Sequence, residues 1–429
     1  MPPYLPRMNA GKSLLDELSW RGMVYQHTDG LADALATGEL TAYVGFDPTA
    51  SSLHIGNLVP VMGLVHLQRS GHRPIALVGG GTGMIGDPSG RATERQLMSL
   101  DEIAANARSI EKQLAHFLDF SGPRAAQMRN NAAWLTQLKA VEFLRDIGKH
   151  FTVNYMLAKE SVQSRIEGGI SFTEFSYMLL QAYDYLELHR REGVTLQMGG
   201  SDQWGNITAG MELIRRIEGK TAHALTLPLV TTASGTKFGK TEAGAVWLDP
   251  ARTSPYKFYQ YWINVDDRDA GKFLRMFTLM SRDEIESLER SIEKSPEKRE
   301  AQQALARDVT SRVHGDAAAS VAQEVSSVLF GKADPTTLTS DVLDALSAEV
   351  PFAEAAQTPG LLDALVMLKL AQSKGAARRL VEQGGVYVNG QRVGADANLA
   401  GLQPLPGGYH LVRKGTRDYG LLRTSGSRS

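Results

Sequence analysis

The stretch Tyr43-Val44-Gly45-Phe46-Asp47-Pro48-Thr49, followed by Leu53-His54-Ile55-Gly56-Asn57, decides the fold. Its apolar first half predicts a buried strand, which the Gly/Pro turn ends, and His54 and Gly56 then open a helix. A helix N-terminus offers free N–H groups and positive potential to an anion. The stretch therefore predicts a strand, a turn and a helix around a phosphate. Taken alone, His-x-Gly fits a helix-capping histidine better than a ligand site.

Residues 40–230 alternate short apolar runs with amphipathic stretches. We predict strands at 41–46, 74–78 and 194–198, and helices at 58–68, 101–117, 176–184 and 206–218. Alternating strands and helices indicate βαβ units, which place the strands in one parallel sheet. The fold class predicted for the domain at 1–249 is therefore α/β, with a Rossmann-like nucleotide-binding parallel sheet.

After residue 250 the pattern changes twice. No strand pattern occurs over 254–330, and helix-periodic segments at 282–289 and 297–312 predict an α-helical domain spanning 250–330. Residues 331–360 carry three prolines and many small residues, which predict a linker with one short helix. The domain at 361–429 is predicted to be small and α+β. Its helices at 361–370 and 376–382 precede Asn389-Gly390, a strong hairpin signal because both turn positions need positive φ.

The composition excludes several classes of protein. Hydrophobic residues make up 42% of the 429 positions and charged residues 22%, which is ordinary for a globular chain. The absence of cysteine excludes disulfides, thiol nucleophiles and Cys-ligated zinc. No apolar run reaches the ~18 residues of a membrane span, and residues 1–20 lack the apolar core of a secretory signal. We therefore predict a cytoplasmic protein without a membrane partner.

Charge is distributed unevenly along the chain. Residues 361–429 hold 10 Lys+Arg and 4 Asp+Glu, a net charge of +6, whereas the other 360 residues carry −7. A basic tail on an acidic body suggests a polyanion as partner, and equally a solvated charged face.

A second candidate motif is Lys237-Phe238-Gly239-Lys240-Thr241, within the Gly/Ser/Thr-rich stretch 231–249. Lysines on a movable loop can stabilise the charge that develops on a phosphoryl group in the transition state. On its own the motif fits a solvated basic loop better. It gains weight because it follows His54 and Gly56 around the same predicted sheet.

Polar side chains share one face of the predicted helix 176–184. Tyr177, Gln181 and Asp184 lie at i, i+4 and i+7. Such a face suits a ligand with an amine and a ring, and equally a polar face that hydrogen-bonds a neighbouring loop. A literal G-x-G-x-x-G at 81–86 is weaker evidence for a dinucleotide site, because the helix that such a site needs is replaced by Asp87-Pro88-Ser89-Gly90.

The two motifs resemble the signatures of class I aminoacyl-tRNA synthetases, HIGH and KMSKS, which stand here as HIGN and KFGKT. Further stretches at 43–49, 85–90, 177–184 and 199–206 resemble the bacterial tyrosyl-tRNA synthetases, and the likeness extends through the basic tail. The resemblance implies a ligase that activates L-tyrosine with ATP to tyrosyl-adenylate and pyrophosphate. The tyrosyl group then passes to the 3′-terminal adenosine of tRNA(Tyr).

The resemblance also implies a role for each site residue. The side chains for substrate tyrosine are Tyr43 and Asp184 at the phenol, Tyr177, Gln181 and Asp87 at the α-amino group, and Gln203 at the carbonyl. Those for ATP are Asp202 at the ribose, Gly45, Asp47, Gly56, Asn57 and Gly200 around the nucleotide, and Thr49 and His54 near the γ-phosphate. The residues expected to close over the pyrophosphate are Lys237, Lys240 and Thr241.

The resemblance implies partners as well. ATP enters as a substrate with Mg²⁺, and no tightly bound cofactor or protein metal site is expected. The domain at 361–429 resembles an RNA-binding domain first named from a small-subunit ribosomal protein. Its candidate RNA contacts are Lys369, Lys374, Arg378, Arg379 and Arg392. This domain and the helical one would contact the anticodon arm and the long variable arm. The family is a homodimer. The sequence itself does not show dimerisation, and its helix-like stretches at 140–165 are a candidate interface.

Two positions depart from the family pattern, and three other functions stay open. Val44 stands where many relatives carry a cysteine that touches the ATP ribose, and Asn57 replaces the second histidine of HIGH. The other functions are a small-molecule adenylate-forming enzyme, a non-catalytic RNA-binding module and, within the synthetases, the tryptophanyl enzyme. A small-molecule adenylate-forming enzyme would not need the basic tail, and an RNA-binding module would not need intact site residues. The tryptophanyl enzyme lacks such a tail.

Overall fold

The structure, a computed structural model, describes residues 13–89, 98–235, 238–241, 244–331, 333–394 and 397–424, with the backbone alone for residues 240 and 241. The chain divides into two compact units. The first unit is Met1–Thr253 with Asn264–Leu305, and the second is Ser254–Ile263 with Ala306–Ser429. The segment predicted as a helical domain over 250–330 is therefore shared between the two units.

The helices are α1 (Leu14–Trp20), α2 (Leu31–Thr37), α3 (Leu58–Arg69), α4 (Leu100–Leu114), α5 (Ala132–Leu135), α6 (Ala140–Asp146), α7 (Val153–Leu157), α8 (Glu160–Ile166), α9 (Phe172–Glu192), α10 (Trp204–Glu218), α11 (Pro255–Ile263), α12 (Asp267–Phe277), α13 (Arg282–Lys294), α14 (Glu300–His314), α15 (Asp316–Leu329), α16 (Ser340–Ser347), α17 (Leu361–Met367) and α18 (Lys374–Glu382). None of these described helices combines the length and the apolar character that a bilayer crossing requires.

The strands are β1 (Gln26–His27), β2 (Thr41–Phe46), β3 (Arg73–Val78), β4 (Gln127–Asn130), β5 (Val194–Gly200), β6 (His223–Leu227), β7 (Lys240–Thr241), β8 (Gly244–Ala245), β9 (Phe352–Ala355), β10 (Val386–Val388), β11 (Gln391–Arg392), β12 (Tyr409–Lys414) and β13 (Asp418–Thr424). Short 3-10 turns at Ile55–Asn57 and Ser201–Gln203 precede α3 and α10.

The described strands of the first unit form a sheet in the order β1-β6-β5-β2-β3-β4. Neighbouring strands are parallel, apart from β1 and β6. Four of the six residues of β2 and five of the six residues of β3 are buried, which agrees with their mostly apolar sequences. The predicted parallel α/β sheet is confirmed.

The strand order reverses between β5 and β2, because β3 follows β2 on one side and β6 follows β5 on the other. A reversal of this kind opens a crevice at the carboxyl ends of the strands. Strand β2 ends at Phe46 and β5 ends at Gly200. The turn after Phe46 and the glycines of β5 therefore meet at this crevice.

Helix α9 brings the polar face of the sequence to the sheet. The Ser171 side chain accepts a hydrogen bond from the Glu174 N–H at its start, and Gly193 ends it with φ 68°. The helix is 21 residues long, so the prediction of 176–184 located only its middle. Tyr177, Gln181 and Asp184 are all buried in it.

The described C-terminal part of the second unit contains a sheet in the order β11-β10-β12-β13-β9. The predicted hairpin is confirmed, since β10 and β11 flank Asn389 and Gly390, whose φ angles are 49° and 83°. The stretch at 331–360, predicted as a linker with one short helix, contains α16 and also strand β9, which pairs with β13. No residue of β9 is fully buried, so its sequence lacks the alternation that predicts a strand.

Candidate active site

A cavity of about 450 Å³ opens at the switch point of the first unit's sheet. The ends of β2 and β5, the turn after β2 and one face of α9 line it. The predicted site residues that line it are Tyr43, Gly45, Asp47, Thr49, His54, Asn57, Asp87, Tyr177, Gln181, Asp184, Gly200 and Gln203. The structure thus brings together side chains that are far apart in the sequence.

Asp184 lies deep in this cavity and is 2% exposed. Its carboxyl oxygens accept hydrogen bonds from Asn131 Nδ2 at 2.8 Å and from Trp134 Nε1 at 2.7 Å. Burial raises the pKa of Asp184 from 3.8 to about 8, and the two hydrogen bonds only partly offset this. A carboxyl group with that pKa can donate or accept a hydrogen bond near neutral pH.

Tyr43 is 1% exposed and packs edge-on against Tyr185, with the ring centroids 5.4 Å apart. Its hydroxyl is buried and has no hydrogen-bond partner among the described residues. Burial, and then the charge of Asp184, raises the pKa of Tyr43 well above its usual value. An unpaired buried hydroxyl costs about 1–3 kcal/mol, which a ligand that pairs with it would recover.

Asp47 links the turn after β2 to α9. One of its oxygens accepts a hydrogen bond from the Tyr177 hydroxyl at 2.9 Å, and the other accepts one from Thr82 Oγ1 at 2.8 Å. Asn131 Nδ2, which binds Asp184, also donates to Thr82 Oγ1 at 3.0 Å. A Cβ atom at Gly79 would overlap Asp47, so this close approach requires glycine there. The two aspartates therefore belong to one hydrogen-bond network.

Gln203 is the centre of a second network at the other end of the cavity. Its amide donates to Asp87 Oδ2 at 2.6 Å. Its carbonyl accepts hydrogen bonds from Gln181 and Asn206, each at 3.3 Å. The Gln181 carbonyl oxygen is buried without a hydrogen-bond partner among the described residues, which leaves an acceptor available to a ligand.

His54 caps the 3-10 turn that precedes α3. Its Nδ1 accepts a hydrogen bond from the Gly56 backbone N–H at 3.1 Å, and the backbone N–H of His54 donates to Asn57 Oδ1 at 3.0 Å. The imidazole also packs edge-on against the Trp247 ring, with the two ring centroids 6.0 Å apart. The capping alternative is therefore observed, and His54 still lines the cavity.

Some predicted site residues do not line the cavity. Lys237 lies outside the described residues, and so do the side chains of Lys240 and Thr241. Gly56 and Asp202 are described but lie outside the lining. Asp202 accepts a weak hydrogen bond from Gln203 at 3.4 Å and packs against Gly200.

The five candidate RNA contacts lie in the second unit, and all of them are exposed. Lys374 forms an ion pair with Asp363 at 2.6 Å. An exposed pair of this kind contributes little to stability, so little free energy would be lost if Lys374 bound a phosphate instead.

Comparison with known proteins identifies the family. The protein-family model described as tRNA synthetases class I (W and Y) matches residues 35–331. A second family model, described as tyrosine–tRNA ligase SYY-like C-terminal domain, matches residues 341–422. The tyrosine–tRNA ligase of Roseiflexus castenholzii is 55% identical over 421 residues, 96% of this chain and 99% of that protein. That of Geobacillus stearothermophilus is 51% identical over 416 residues, with the same coverage. This chain belongs to the tyrosyl-tRNA synthetase family.

A solved structure of the family shares the fold. A C-terminally truncated mitochondrial tyrosyl-tRNA synthetase from Aspergillus nidulans has a TM-score of 0.69 at 29% identity, and the match covers 75% of this chain and 95% of that one. The predicted enzyme class, a tyrosine–tRNA ligase among the class I synthetases, is confirmed by the curated relatives. Those relatives are named for tyrosine, which separates the chain from the tryptophanyl alternative.

Sequence reasoning missed three members of this synthetase's site: Thr82, Asn131 and Trp134. Asn131 and Trp134 come from the end of β4 and the four-residue helix α5, which are too short to show a hydrophobic period. A buried aspartate on α9 requires hydrogen-bond donors, so the need for partners was foreseeable. Their positions depend on tertiary contacts that a sequence does not show.

Proposed function

We propose that this enzyme binds L-tyrosine with its phenol hydroxyl against Tyr43 and Asp184. The observation that supports this is the buried Tyr43 hydroxyl, which lacks a partner among the described residues and shares a cavity with the Asp184 carboxyl. A phenol would pair with both groups, whereas phenylalanine would leave both unpaired at the cost of a buried polar group.

The amino-acid end of the substrate would lie among Asp87, Tyr177, Gln181 and Gln203. A substrate ammonium group is attracted to the Asp87 carboxylate and can donate to the free carbonyl of Gln181. Asp47 fixes the Tyr177 hydroxyl, so that its oxygen can accept a hydrogen bond from the same ammonium. Gln203, which now holds Asp87, would exchange that contact for the substrate carbonyl region.

ATP would bind beside this pocket, with Gly45 and Gly200 allowing a close approach and Asp202 at the ribose. A carboxylate oxygen of tyrosine attacks the α-phosphorus in line, the bond to the bridging oxygen breaks, and pyrophosphate leaves. The protein supplies no nucleophile, because positioning and charge stabilisation suffice for this reaction. Thr49 and His54 would hold the γ-phosphate region, and Lys237, Lys240 and Thr241 the departing pyrophosphate.

Mg²⁺ would enter with ATP, bound mainly by phosphate oxygens. The described residues contain no group of three or more His, Cys, Asp or Glu side chains suited to hold a metal ion.

In the second step, a ribose hydroxyl of the terminal tRNA adenosine attacks the tyrosyl carbonyl and AMP leaves. The exposed cations of the second unit would bind the phosphates of tRNA(Tyr), at Lys369, Lys374, Arg378, Arg379 and Arg392. Contacts of this type orient the tRNA without reading its sequence. We expect a cytoplasmic location, where an enzyme that aminoacylates tRNA would meet its substrate.

A homodimer accounts for a group of exposed apolar side chains between residues 140 and 172. Val141, Leu144, Val153, Ile166 and Phe172 are 43–79% exposed. A second copy of the chain that packs against this part of the sequence would remove these apolar side chains from water. Sedimentation equilibrium should give about twice the 46.7 kDa of one chain, and a mass of one chain at micromolar concentration would contradict the dimer.

Pyrophosphate exchange into ATP without tRNA tests the activation step. The purified chain is offered each of the twenty amino acids in turn. Exchange with tyrosine alone is expected, because only a phenol pairs with Tyr43 and Asp184. Equal exchange with phenylalanine would remove the proposed pocket, and exchange with no amino acid would remove the activation step.

A further inference from the structure

One face of α12 is occupied by the chain segment that carries the lysine motif. Asp269, Phe273 and Phe277 lie at i, i+4 and i+8, so they share this face, which we call the α12 platform. They are only 5%, 1% and 1% exposed. None of them lines the cavity, and the reaction described above does not use them.

The platform holds Phe238, the aromatic residue between the two lysines of the motif. Phe238 is 6% exposed, its ring stacks on Phe277 with centroids 5.1 Å apart, and it meets Phe273 edge-on at 5.0 Å. Asp269 Oδ2 accepts a hydrogen bond from the Ala233 N–H at 2.8 Å, a few residues earlier in the same segment. A solvated basic loop would not bury its aromatic residue, so Phe238 and Ala233 are anchored to α12.

The other side of the segment contacts the HIGN motif. Gly239 has φ +81°, and a Cβ atom there would lie 2.9 Å from the Ile55 side chain. The Val246 N–H donates to the Gly239 carbonyl, and the Ile55 N–H donates to the Val246 carbonyl, both at 3.0 Å. Phe238 and Gly239 thus lie between α12 and the residues around His54.

We propose that the α12 platform is a positioning site for tyrosine activation. By holding Phe238, it constrains the backbone of the motif, in which Lys237 directly precedes Phe238 and Lys240 follows it by two residues. The proposal rests on the pyrophosphate role of the two lysines. A contact that acts in the transition state changes the activation rate and leaves ground-state tyrosine binding unchanged.

The test compares Phe277→Leu and Asp269→Ala with the wild-type chain at full length. The maximal rate of pyrophosphate exchange is expected to fall about 10- to 100-fold, because small displacements of catalytic groups have effects of that size. The Kd for tyrosine, measured by equilibrium dialysis, is expected to change less than about twofold. Asp269→Asn keeps an acceptor oxygen for the Ala233 N–H and should restore most of the rate.

Phe258→Leu is the matched control. Phe258 is fully buried and has aromatic neighbours in Trp262 and His314, but it lies in the second unit. This variant should keep its exchange rate within about twofold of wild type. Limited trypsin digestion adds an independent readout, since Phe277→Leu should speed cleavage after Lys237 and Lys240 several-fold and Phe258→Leu should not.

Wild-type rates in both platform variants, or equal losses of tyrosine binding and exchange, would overturn the platform and leave the proposed function intact. A wild-type chain that fails to exchange with tyrosine would overturn both. If Phe277→Leu does not fold, the exchange rates of Asp269→Ala and Asp269→Asn decide whether the platform acts as proposed. These two variants differ in the hydrogen-bond acceptor for the Ala233 N–H, and neither removes a buried ring.

Discussion

At the scale of single residues, the Tyr43 hydroxyl separates stability from substrate binding. Tyr43→Phe removes a buried hydroxyl that has no partner among the described residues, so the melting temperature should stay the same or rise. The KM for tyrosine in pyrophosphate exchange should rise about 3- to 10-fold, because the substrate phenol loses one hydrogen bond of ~1 kcal/mol.

The neighbouring residue Tyr185 provides the control. It is also fully buried, but its hydroxyl donates to the His223 carbonyl at 2.8 Å. Tyr185→Phe should therefore lower the melting temperature and leave the KM for tyrosine unchanged. If Tyr43→Phe behaved in the same way, the Tyr43 hydroxyl would have a structural role and no role in binding.

Asp184 makes stability depend on pH. Its pKa is about 8 in the folded chain and 3.8 as a free group, so the folded state binds the extra proton between those values. Stability attributable to Asp184 is complete below about pH 4 and is lost as the pH rises to about 8. Asp184→Asn removes this dependence. The melting temperature of Asp184→Asn minus that of wild type should therefore increase as the pH rises from about 4 to about 8, and then level off. A difference in melting temperature that does not change with pH would contradict the shifted pKa.

The sequence indicates which side chains face the pocket better than it indicates what they bind. Helical spacing alone places Tyr177, Gln181 and Asp184 on one face, and the structure buries all three. The hydrogen bond from Tyr177 to Asp47 was not foreseen, because these residues come from different elements. Partners across the sheet depend on tertiary packing, which local periodicity does not encode.

At the scale of elements, a buried ion pair fixes the start of α9. Arg165 on α8 and Glu174 in the first turn of α9 are 5% and 2% exposed, and their charged groups form two hydrogen bonds, at 2.8 and 3.2 Å. Glu174→Gln leaves a buried guanidinium without its charge partner, which should lower the free energy of unfolding by about 3–5 kcal/mol in denaturant titrations.

The pair Arg275–Glu289 is a suitable control for this prediction. It also has two hydrogen bonds, at 2.6 and 2.7 Å, but its side chains are 34% and 25% exposed. Glu289→Gln should cost less than about 1 kcal/mol, because solvent screens the charge that remains. Similar losses in both variants would show that burial does not decide the strength of these pairs.

Elements with strong periodicity or end signals were predicted well, and short ones were missed. Strand β2 has the predicted bounds, and α4 begins one residue before the predicted 101–117 because Ser99 forms a capping box with Glu102. Strand β6, at 223–227, was not predicted, although it is fully buried. Its sequence, His223-Ala224-Leu225-Thr226-Leu227, neither alternates strictly nor forms a continuous apolar run, so periodicity does not identify it as a strand.

At the scale of the whole molecule, the fold class could be predicted because one property repeats through the first 250 residues: apolar strands alternate with amphipathic helices. The division into units could not, because α11 and the segment from Asn264 to Leu305 are assigned by contacts between distant parts of the chain. The basic character of the tail follows from composition alone, since charge is a sum over residues and needs no knowledge of packing.

That charge leads to a prediction for the two units. Arg378 and Arg379 are exposed on α18 of the second unit, whereas the cavity lies within the first. Replacing both by alanine should weaken tRNA binding and make the slope of log affinity against log salt shallower by about 1.5, because about two phosphate contacts release fewer counterions. Pyrophosphate exchange without tRNA should stay at the wild-type rate. Filter binding from 50 to 300 mM salt measures the slope, and an unchanged slope would remove α18 from the tRNA interface.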